Sequence, residues 1–302
     1  TVWLRRWYQP LASQNLHPAD VKFAQNESNE FVRGVINLLG ERERFWINPI
    51  AAKSRADRKP VQLLVAREVG LNTPDTLFSN DPEQIRRFFH EHDGRVIYKP
   101  LTSAAWLDGD RSYATFTSAL SEELLQNPAS LSNSPGIFQP LLEKDYELRV
   151  TVIGRNVFAA RIDSQREGNY LTDWRANQLD HRMRCEVYKL PLEIEDRCRA
   201  LLDRLGLVFG AIDFVVTPKG DYVFLEINEM GQFLWLEGPN PEFPLLDCFV
   251  KFMLSKDRNY RYNPRGTVHS FAAYCDSMEE RGDRDPEAGR HVPLPRWFEM
   301  QE

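Results

Sequence analysis

Two apolar runs in the last third of the chain carry polar side chains where a strand pattern predicts only core. Val208-Phe209-Gly210-Ala211-Ile212-Asp213-Phe214-Val215-Val216 is followed by Thr217-Pro218-Lys219-Gly220 and then by Asp221-Tyr222-Val223-Phe224-Leu225-Glu226-Ile227-Asn228. The outer runs are β-branched and aromatic, and the Pro-Lys-Gly between them is turn chemistry, so the segment reads as an antiparallel hairpin. Side chains alternate faces along a strand, so Glu226 and Asn228 share one side, and an even-numbered connection brings Asp213 to that same side. The opposite face then holds Val208, Ile212, Phe214, Val216, Val223, Leu225 and Ile227. Two carboxylates and an amide oxygen converging on a buried hairpin suit a hard cation such as Mg²⁺, which takes oxygen ligands and leaves room for phosphate oxygens. The competing reading is a solvated outer face with two ordinary acids. The flanking Phe, Leu and Ile favour burial, and buried carboxylates need a partner.

At 302 residues, 42% of them hydrophobic, the chain can bury a sizeable core and hold two or three lobes. The net charge of -6 and the scattered Lys and Arg give no electrostatic footprint for nucleic acid. Cys185, Cys198, Cys248 and Cys275 are far apart with no C-x-x-C pair, which suits reduced thiols in a cytoplasmic protein better than a zinc site or a disulfide scaffold. No apolar stretch approaches the roughly 20 residues needed to cross a bilayer, and no signal peptide opens the chain, so no membrane partner is expected. The chain starts at Thr1 without Met, and an N-terminal piece is expected to precede it.

The first fifty residues mix short apolar runs with charge and end at Asn48-Pro49, which reads as a small α/β lobe closed by a turn. Val61, Leu64, Val65, Ala66 and Val69 have helical spacing and stop at Gly70. Asp81-Pro82-Glu83-Gln84 supplies an N-cap, a Pro at the first helical position and a Gln able to close a capping box, ahead of Ile85, Phe88 and Phe89. Arg95 to Lys99 reads as a strand. Leu101 to Tyr113 reads as a loop of small residues and Gly before a helix near Thr117 to Gln126. Gly136 to Leu142 is a further strand, and Tyr146–Ile153 with Val157–Ser164 form a hairpin around Gly154-Arg155-Asn156. Leu192 to Leu205 and Phe243 to Leu254 are expected helices. Beyond Arg258 the chain is polar and punctuated by Pro and Gly, which reads as a peripheral extension.

Lys99 stands where a strand meets a loop, and loop amides with a lysine at their root are one way to hold phosphates. A surface lysine ending a strand is the commoner explanation, and the same holds for Lys59, two residues before the first predicted helix. Glu147 and Arg149 lie two apart on one strand and share a face. There a carboxylate can take ribose hydroxyls and a guanidinium can hold a transferring phosphoryl group; a cross-strand ion pair explains them equally well. A three-residue hairpin loop would put Arg161 beside Arg149, and a two-residue loop would not. The signatures of P-loop, dinucleotide-binding and serine-hydrolase folds are missing, and no H-x-x-x-H pair supports zinc catalysis. Trp174, Phe233 and Trp235 are either a binding face or packing.

In order along the chain stand Lys59, a helix, a strand ending in Lys99, a loop, a strand at 136–142, Glu147 and Arg149, and then Asp213, Glu226 and Asn228. This order resembles the ATP-grasp superfamily over roughly residues 45 to 255, and the Asp-x12-Glu-x-Asn spacing is its most specific element. The resemblance implies an α/β (α+β) ATP-grasp fold in which two α/β lobes clamp ATP behind a small N-terminal lobe. The division is 1–52 for the pre-ATP-grasp lobe, 53–138 for the central lobe, 139–256 for the C-terminal lobe with the metal site, and 257–302 for the extension. It further implies that Lys59 and Lys99 contact the phosphates, that Gln139, Leu141 and Leu142 lie in the segment reading adenine through its backbone, and that Glu147 holds the ribose. Asp213, Glu226 and Asn228 would bind Mg²⁺, with two ions expected. Arg149 would stabilise the moving phosphoryl group.

Several phrases are more closely similar to the graspetide, or microviridin-type, maturases of ribosomally made peptides. They are Val2-Trp3-Leu4-Arg5-Arg6, Trp46-Ile47-Asn48-Pro49, Glu147-Leu148-Arg149-Val150, Ile162-Asp163-Ser164-Gln165, Thr172-Asp173-Trp174-Arg175 and Asn228-Glu229-Met230-Gly231-Gln232-Phe233. That resemblance implies an ATP-dependent ligase that phosphorylates Asp or Glu side chains of a precursor peptide and closes ester or amide crosslinks, acting as a homodimer. Arg175 and Arg161 would face the acyl phosphate or the peptide. Asp173, Trp174 and the segment from Asp180 to Pro191 would contact peptide, and the loop from Thr102 to Tyr113 would be a lid. A ligase joining free amino acids or extending a protein tail is the second reading, and a non-ligating nucleotide-binding regulator the third.

Overall fold

The computed structural model of the chain describes residues 1–5, 10, 13, 15–42, 44–102, 105–108, 111–114, 117–162 and 185–280. In chain order the elements are β1 (Val2–Trp3), α1 (Val21–Gly40), β2 (Trp46–Ile47), α2 (Ile50–Ala56), α3 (Lys59–Glu68), β3 (Leu77–Ser79), α4 (Pro82–Glu91) and β4 (Val96–Lys99). Next come β5 (Ala105–Asp108), β6 (Arg111–Ala114), β7 (Ser118–Ala119), α5 (Glu122–Leu125), α6 (Pro128–Ser132), β8 (Gly136–Pro140), β9 (Tyr146–Ile153) and β10 (Asn156–Ile162). The last are β11 (Cys185–Tyr188), α7 (Leu192–Leu205), β12 (Phe209–Val216), β13 (Tyr222–Asn228), α8 (Leu245–Ser255) and α9 (Phe271–Glu280).

Two sheets organise the molecule: an antiparallel one ordered β11-β10-β9-β12-β13 and another ordered β3-β8-β4-β7. Every residue of β9 and β12 is buried, because helices cover one face of the larger sheet while α8 and the smaller sheet share the other. On the first face Leu148, Val150, Ile212, Phe214 and Phe224 pack under α3 and α7 through Leu63, Ala66, Cys198, Leu201 and Leu205. On the second face Ile153, Ala160 and Phe209 pack under α8 through Cys248, Phe249 and Phe252. The smaller sheet has its own core, where Ile85, Phe88 and Phe89 of α4 meet Val96 and Phe138.

Local signals account for most boundaries. Gly70 and Gly206 stop α3 and α7 in the left-handed region at φ +82° and +78°. Leu71 and Leu207 then donate back to Ala66 and Leu202, the usual helix-ending pattern. Asp81 caps α4 by accepting from the Glu83 amide at 2.9 Å. No capping box forms, because the Gln84 amide oxygen instead accepts from the Ser79 hydroxyl.

The structure departs from the sequence reading at five further places. Directly after the Asn48-Pro49 turn stands a helix, Ile50–Ala56, that the sequence reading did not mark, and Lys59 opens the next helix instead of preceding it. The stretch read as a loop forms the β5–β6 hairpin, followed by β7 and only a short helix, α5. Residues 53–71, placed with the central lobe, pack through Ala56, Leu63, Val65, Ala66 and Leu71 in the core of the larger sheet, and β8 runs across the 138/139 division. The register of β12 and β13 slips after Asp213. One extra residue on β13, Leu225, flips the pattern beyond it, so Tyr222 and Phe224 rather than Val223 and Leu225 join Ile212, Phe214, Val216 and Ile227 over the helices. The segment after Arg258 is fastened to the body. Tyr260 and Tyr262 pack against the α8 core, and the buried Asp247 carboxylate accepts from the Tyr262 hydroxyl and the His269 amide.

Candidate active site

Because β9 alternates faces, Glu147 and Arg149 point away from α3 and α7, on the same side as Ile153. Ile153 is covered by α8, whereas Glu147 looks toward the smaller sheet. Between the two sheets lies a cleft of about 290 Å³. Lys59, Lys99, Gln139, Leu141, Leu142, Glu147, Asp213, Glu226 and Asn228 all line it. The sequence had named these nine residues from separate segments, and the fold brings them together. Arg149 stands behind the cleft wall.

Asp213 pairs directly opposite Glu226, and Ala211 opposite Asn228, so the acids and the amide occupy one face of the hairpin as expected. The Arg149 guanidinium donates through Nη1 to both Asp213 oxygens, at 2.8 and 2.9 Å, and through Nη2 to the Gln232 carbonyl at 3.2 Å. Its Nε is buried without a hydrogen-bond partner. The Lys59 ammonium is ion-paired with Glu226. Lys144, which the sequence reading passed over, pairs with Glu147 at 2.9 Å in a buried setting, and Lys53 lies 3.4 Å from Glu229. Burial pushes the Glu229 carboxyl above the usual range, and Lys53 offsets this in part. Each of these acids thus carries a cationic partner, as burial demands.

Two buried amides hold the hairpin in place. Asn48 donates to the Phe209 and Glu229 carbonyls at 2.8 and 2.7 Å and accepts from the Val208 and Phe209 amides at 2.8 and 2.9 Å. Gln62 donates to the Ile227 carbonyl at 2.9 Å and accepts from its amide at 3.0 Å. Ile227 lies between Glu226 and Asn228, so helix α3 grips the peptide that spaces two of the three oxygen donors. The sequence reading gave neither residue a role, although Asn48 stands in the quoted phrase Trp46-Ile47-Asn48-Pro49. Asn48 sits in an apparent turn, and Gln62 in an apolar helical run, where an isolated polar residue is the one available signal.

The other residues fall as follows. The turn of the β9–β10 hairpin is the two residues Gly154-Arg155, so Ala160 faces Arg149 and Arg161 faces Leu148. Arg161 is therefore on the face of the sheet opposite Arg149 and Asp213, its guanidinium over the Tyr146 ring at 4.1 Å. Leu141 donates its backbone N–H to the Arg95 carbonyl at 2.8 Å, and Gln139 reaches Thr76 at 3.0 Å. Trp235 donates to the Gln232 carbonyl, and Phe233 packs on Phe209 and Phe249, so both serve the α8 core rather than a binding face. Asp173, Trp174, Arg175 and Asp180 lie outside the described residues. So do residues 103–104, 109–110 and 115–116 in and around the expected lid.

The donor set fits a hard divalent cation. Asp213, Glu226 and Asn228 offer only oxygen, on one face at the cleft wall, next to ammonium groups placed for anionic oxygens. Among the described residues no three His, Cys, Asp or Glu side chains converge on one point, so the set reaches three donors only through the Asn228 amide.

No protein-family model and no curated protein sequence matches the chain. Solved structures do. The macrocyclase MdnC from Microcystis aeruginosa MRC, bound with its precursor peptide MdnA, is 34% identical over 84% of this chain and 78% of that one, with a TM-score of 0.73. This chain belongs to the ATP-grasp ligase family of ribosomal-peptide maturases. A Chryseobacterium gregarium ATP-grasp ligase associated with such peptides, in complex with ADP and leader and core peptides, is 30% identical over 86% of this chain and 78% of that one, with a TM-score of 0.76. The ATP-grasp ligase PsnB, complexed with a phosphomimetic variant of its minimal precursor, Mg and ADP, is 27% identical over 84% and 78%, with a TM-score of 0.62. The ATP-grasp fold and the graspetide-type resemblance read from the sequence are borne out. The protein is an ATP-grasp ligase.

Proposed function

We propose that this ligase uses ATP and Mg²⁺ to close ester or amide crosslinks within a ribosomally made precursor peptide. In the first step the γ-phosphoryl group passes from ATP to a carboxylate oxygen of a peptide Asp or Glu, giving ADP and an acyl phosphate. In the second a Ser or Thr hydroxyl or a Lys amine of the same peptide attacks the carbonyl carbon. The C–O bond to phosphate breaks, and phosphate and the nucleophile's proton leave. The observation that carries the reading is the convergence, in one cleft between two sheets, of an all-oxygen donor set with Lys59, Lys99 and Lys144, in a chain whose relatives bind such peptides.

The chain's own residues supply position and charge. Lys99 at the end of β4 and Lys59 at the start of α3 reach the phosphates from opposite walls, with Lys144 beside them. The Gln139–Leu142 segment, its Leu141 N–H already bonded, reads the base through its remaining backbone groups, and Glu147 takes the ribose hydroxyls. Arg149 orients Asp213 and places positive charge behind the phosphoryl group. Asp213, Glu226 and Asn228 hold the metal, with two ions as the fuller complement. Mg²⁺ there would neutralise phosphate charge that the lysines do not reach. Asp173, Trp174, Arg175 and the segment from Asp180 are assigned to the peptide by family likeness. The β5–β6 hairpin is assigned the lid, and the chain is read as a cytoplasmic homodimer. Three buried free thiols, Cys185, Cys198 and Cys248, suit a reducing compartment. No described helix is long and apolar enough to cross a membrane.

The test is mass spectrometry of a candidate precursor incubated with protein, ATP and Mg²⁺. Loss of one water mass per ring, in step with ADP release, is expected. Asp213→Ala or Glu226→Ala should abolish product while leaving peptide binding intact. Turnover near the wild-type rate in either would remove the metal assignment. ADP formation driven by free amino acids would instead favour amino-acid ligation, and nucleotide binding without turnover would favour a regulator.

A further inference from the structure

The connection between β8 and β9, Leu141-Leu142-Glu143-Lys144-Asp145, crosses from the smaller sheet to the larger. It is tied near both ends: Leu141 donates its N–H to the Arg95 carbonyl and Asp145 its N–H to the Val216 carbonyl, each at 2.8 Å. Glu143 and Asp145 are exposed, as charged loop residues usually are. Lys144 between them turns inward. Its side chain is 9% exposed, and its ammonium donates to Glu147 Oε1 at 2.9 Å, where the Glu147 side chain is itself 5% exposed. Lysine almost never withdraws from water without a partner, so this contact fixes both side chains.

Its place in the cleft sets Lys144 apart from the other two lysines. Lys59 opens α3 and pairs with Glu226, one of the oxygen donors, and Lys99 ends β4. Lys144 instead follows the base-reading segment Gln139–Leu142 by two residues and bonds the acid assigned to the ribose. A nucleotide whose base lies on that segment brings its sugar to Glu147 and Lys144, with its phosphates beyond. A glutamate side chain is long and flexible, so a carboxylate already held in one orientation binds hydroxyls at a lower entropy cost than one that must be ordered by them. A carboxylate accepts at about four lone-pair sites, so one held by a lysine can still accept from sugar hydroxyls.

We propose that Lys144 is a positioning residue for the sugar: it holds the Glu147 carboxylate in the orientation that accepts the ribose hydroxyls, and so makes the ligase select ribonucleotides over deoxynucleotides. This rests on Glu147 taking the ribose, as assigned above.

Calorimetric titration of the full chain with ADP and with dideoxy-ADP, which lacks both ribose hydroxyls, tests this with Mg²⁺ present and no peptide. Wild type should favour ADP by roughly tenfold or more, the worth of a hydrogen bond to a charged group. Glu147→Gln should bring the two nucleotides to within about threefold, and Lys144→Met should do the same although it keeps the carboxylate. Lys144→Arg, which keeps the charge and the donors, should recover most of the preference. Any loss of folded protein weakens both titrations alike and cancels in the ratio. A Lys144→Met variant that binds both nucleotides less tightly yet keeps the wild-type ratio would overturn the proposal, because that pattern belongs to a phosphate contact or to stability alone. So would a Lys144→Arg variant no more selective than Lys144→Met. A wild type indifferent to the ribose hydroxyls, or a Glu147→Gln variant as selective as wild type, counts against the ribose assignment itself, and the proposal falls with it. Peptide crosslinking does not enter the measurement, so its failure would leave the result standing.

Discussion

Gln62 completes the edge of the β12–β13 hairpin by bonding to both backbone groups of Ile227. β13 is the last strand of its sheet, so its outer amides and carbonyls have no strand to meet, and a side-chain amide from α3 takes the place of one. Gln62→Leu would leave the N–H and C=O of Ile227 buried and unmatched, at a cost of about 1–3 kcal/mol. Because Ile227 spaces Glu226 from Asn228, the Mg²⁺ concentration for half-maximal turnover should also rise. Gln62→Glu, which keeps an acceptor for the amide but loses the donor, should recover only part of both effects. A variant with lowered melting temperature and an unchanged Mg²⁺ requirement would show that Gln62 serves stability alone.

Arg149 and Asp213 form a buried pair at the centre of the larger sheet, and breaking it strands a charge. Arg149→Met should destabilise the protein by about 3–5 kcal/mol without metal. If Asp213 is a metal ligand, Mg²⁺ can take over part of the neutralising role, so thermal unfolding of the variant should respond to Mg²⁺ more strongly than that of wild type. An equal response in both would separate Asp213 from the metal. Arg161→Ala, on the opposite face, should retain ATP turnover.

The contrast between these arginines shows what the sequence displays and what it conceals. Dense apolar periods are legible, and α7 begins and ends at the predicted Leu192 and Leu205 because Pro191 and Gly206 bracket it. The triad is legible because polar groups within a strand pattern must face one way or the other. Arg161 is lost to one residue of turn length, since adding or removing a residue in a hairpin reverses every side chain beyond it. The bulge at Leu225 has the same character: its neighbours are all apolar, so no local pattern marks where the register slips. Asn48, Gln62 and Lys144 escape for another reason. Their roles depend on partners at sequence separations from 3 to 181, and nothing nearby in sequence shows that a strand edge or a carboxylate lies within reach.

Tyr146, Tyr188 and Tyr222 join hydroxyl to hydroxyl at 3.0 and 2.6 Å on the helix-covered face of the larger sheet. Burial and then the bond to Tyr188 push the Tyr222 phenol up to about 12, and the Tyr146 phenol is raised by the same causes. A raised value means the folded state holds the neutral form. The resulting stability is complete below the ordinary phenol value of about 10 and is lost as pH climbs toward the folded value. Alkaline titration followed by tyrosinate absorbance should show Tyr222 and Tyr146 ionising together with unfolding, above pH 10 and toward about 12 for Tyr222. Tyr188→Phe should move that transition to lower pH. Ionisation of all ten tyrosines near the ordinary value, with the fold intact, would contradict the cluster.

Asp247 is the anchor by which the segment after Arg258 is strapped across α8. Burial alone would raise its carboxyl, but the bonds from Lys251, from the Tyr262 hydroxyl and from the His269 amide together hold it below the usual carboxylate range. A lowered value means that the stabilisation is present above the unfolded carboxyl's value, about 3.9, and fades as pH falls through the depressed folded one. At neutral pH, trypsin should cut Asp247→Ala after Arg258, Arg261 or Arg265 much faster than it cuts wild type. Wild type should gain the same sensitivity, to an acid-active protease, only once pH drops below about 4. The Glu237 carboxylate also accepts from the Phe271 amide at 3.0 Å, so the strap has a second attachment beyond His269. Cleavage confined to the Arg258–Arg265 stretch, with α9 still attached, identifies Asp247 as the anchor of that stretch alone. Equal resistance of variant and wild type would place the anchor at Glu237 instead.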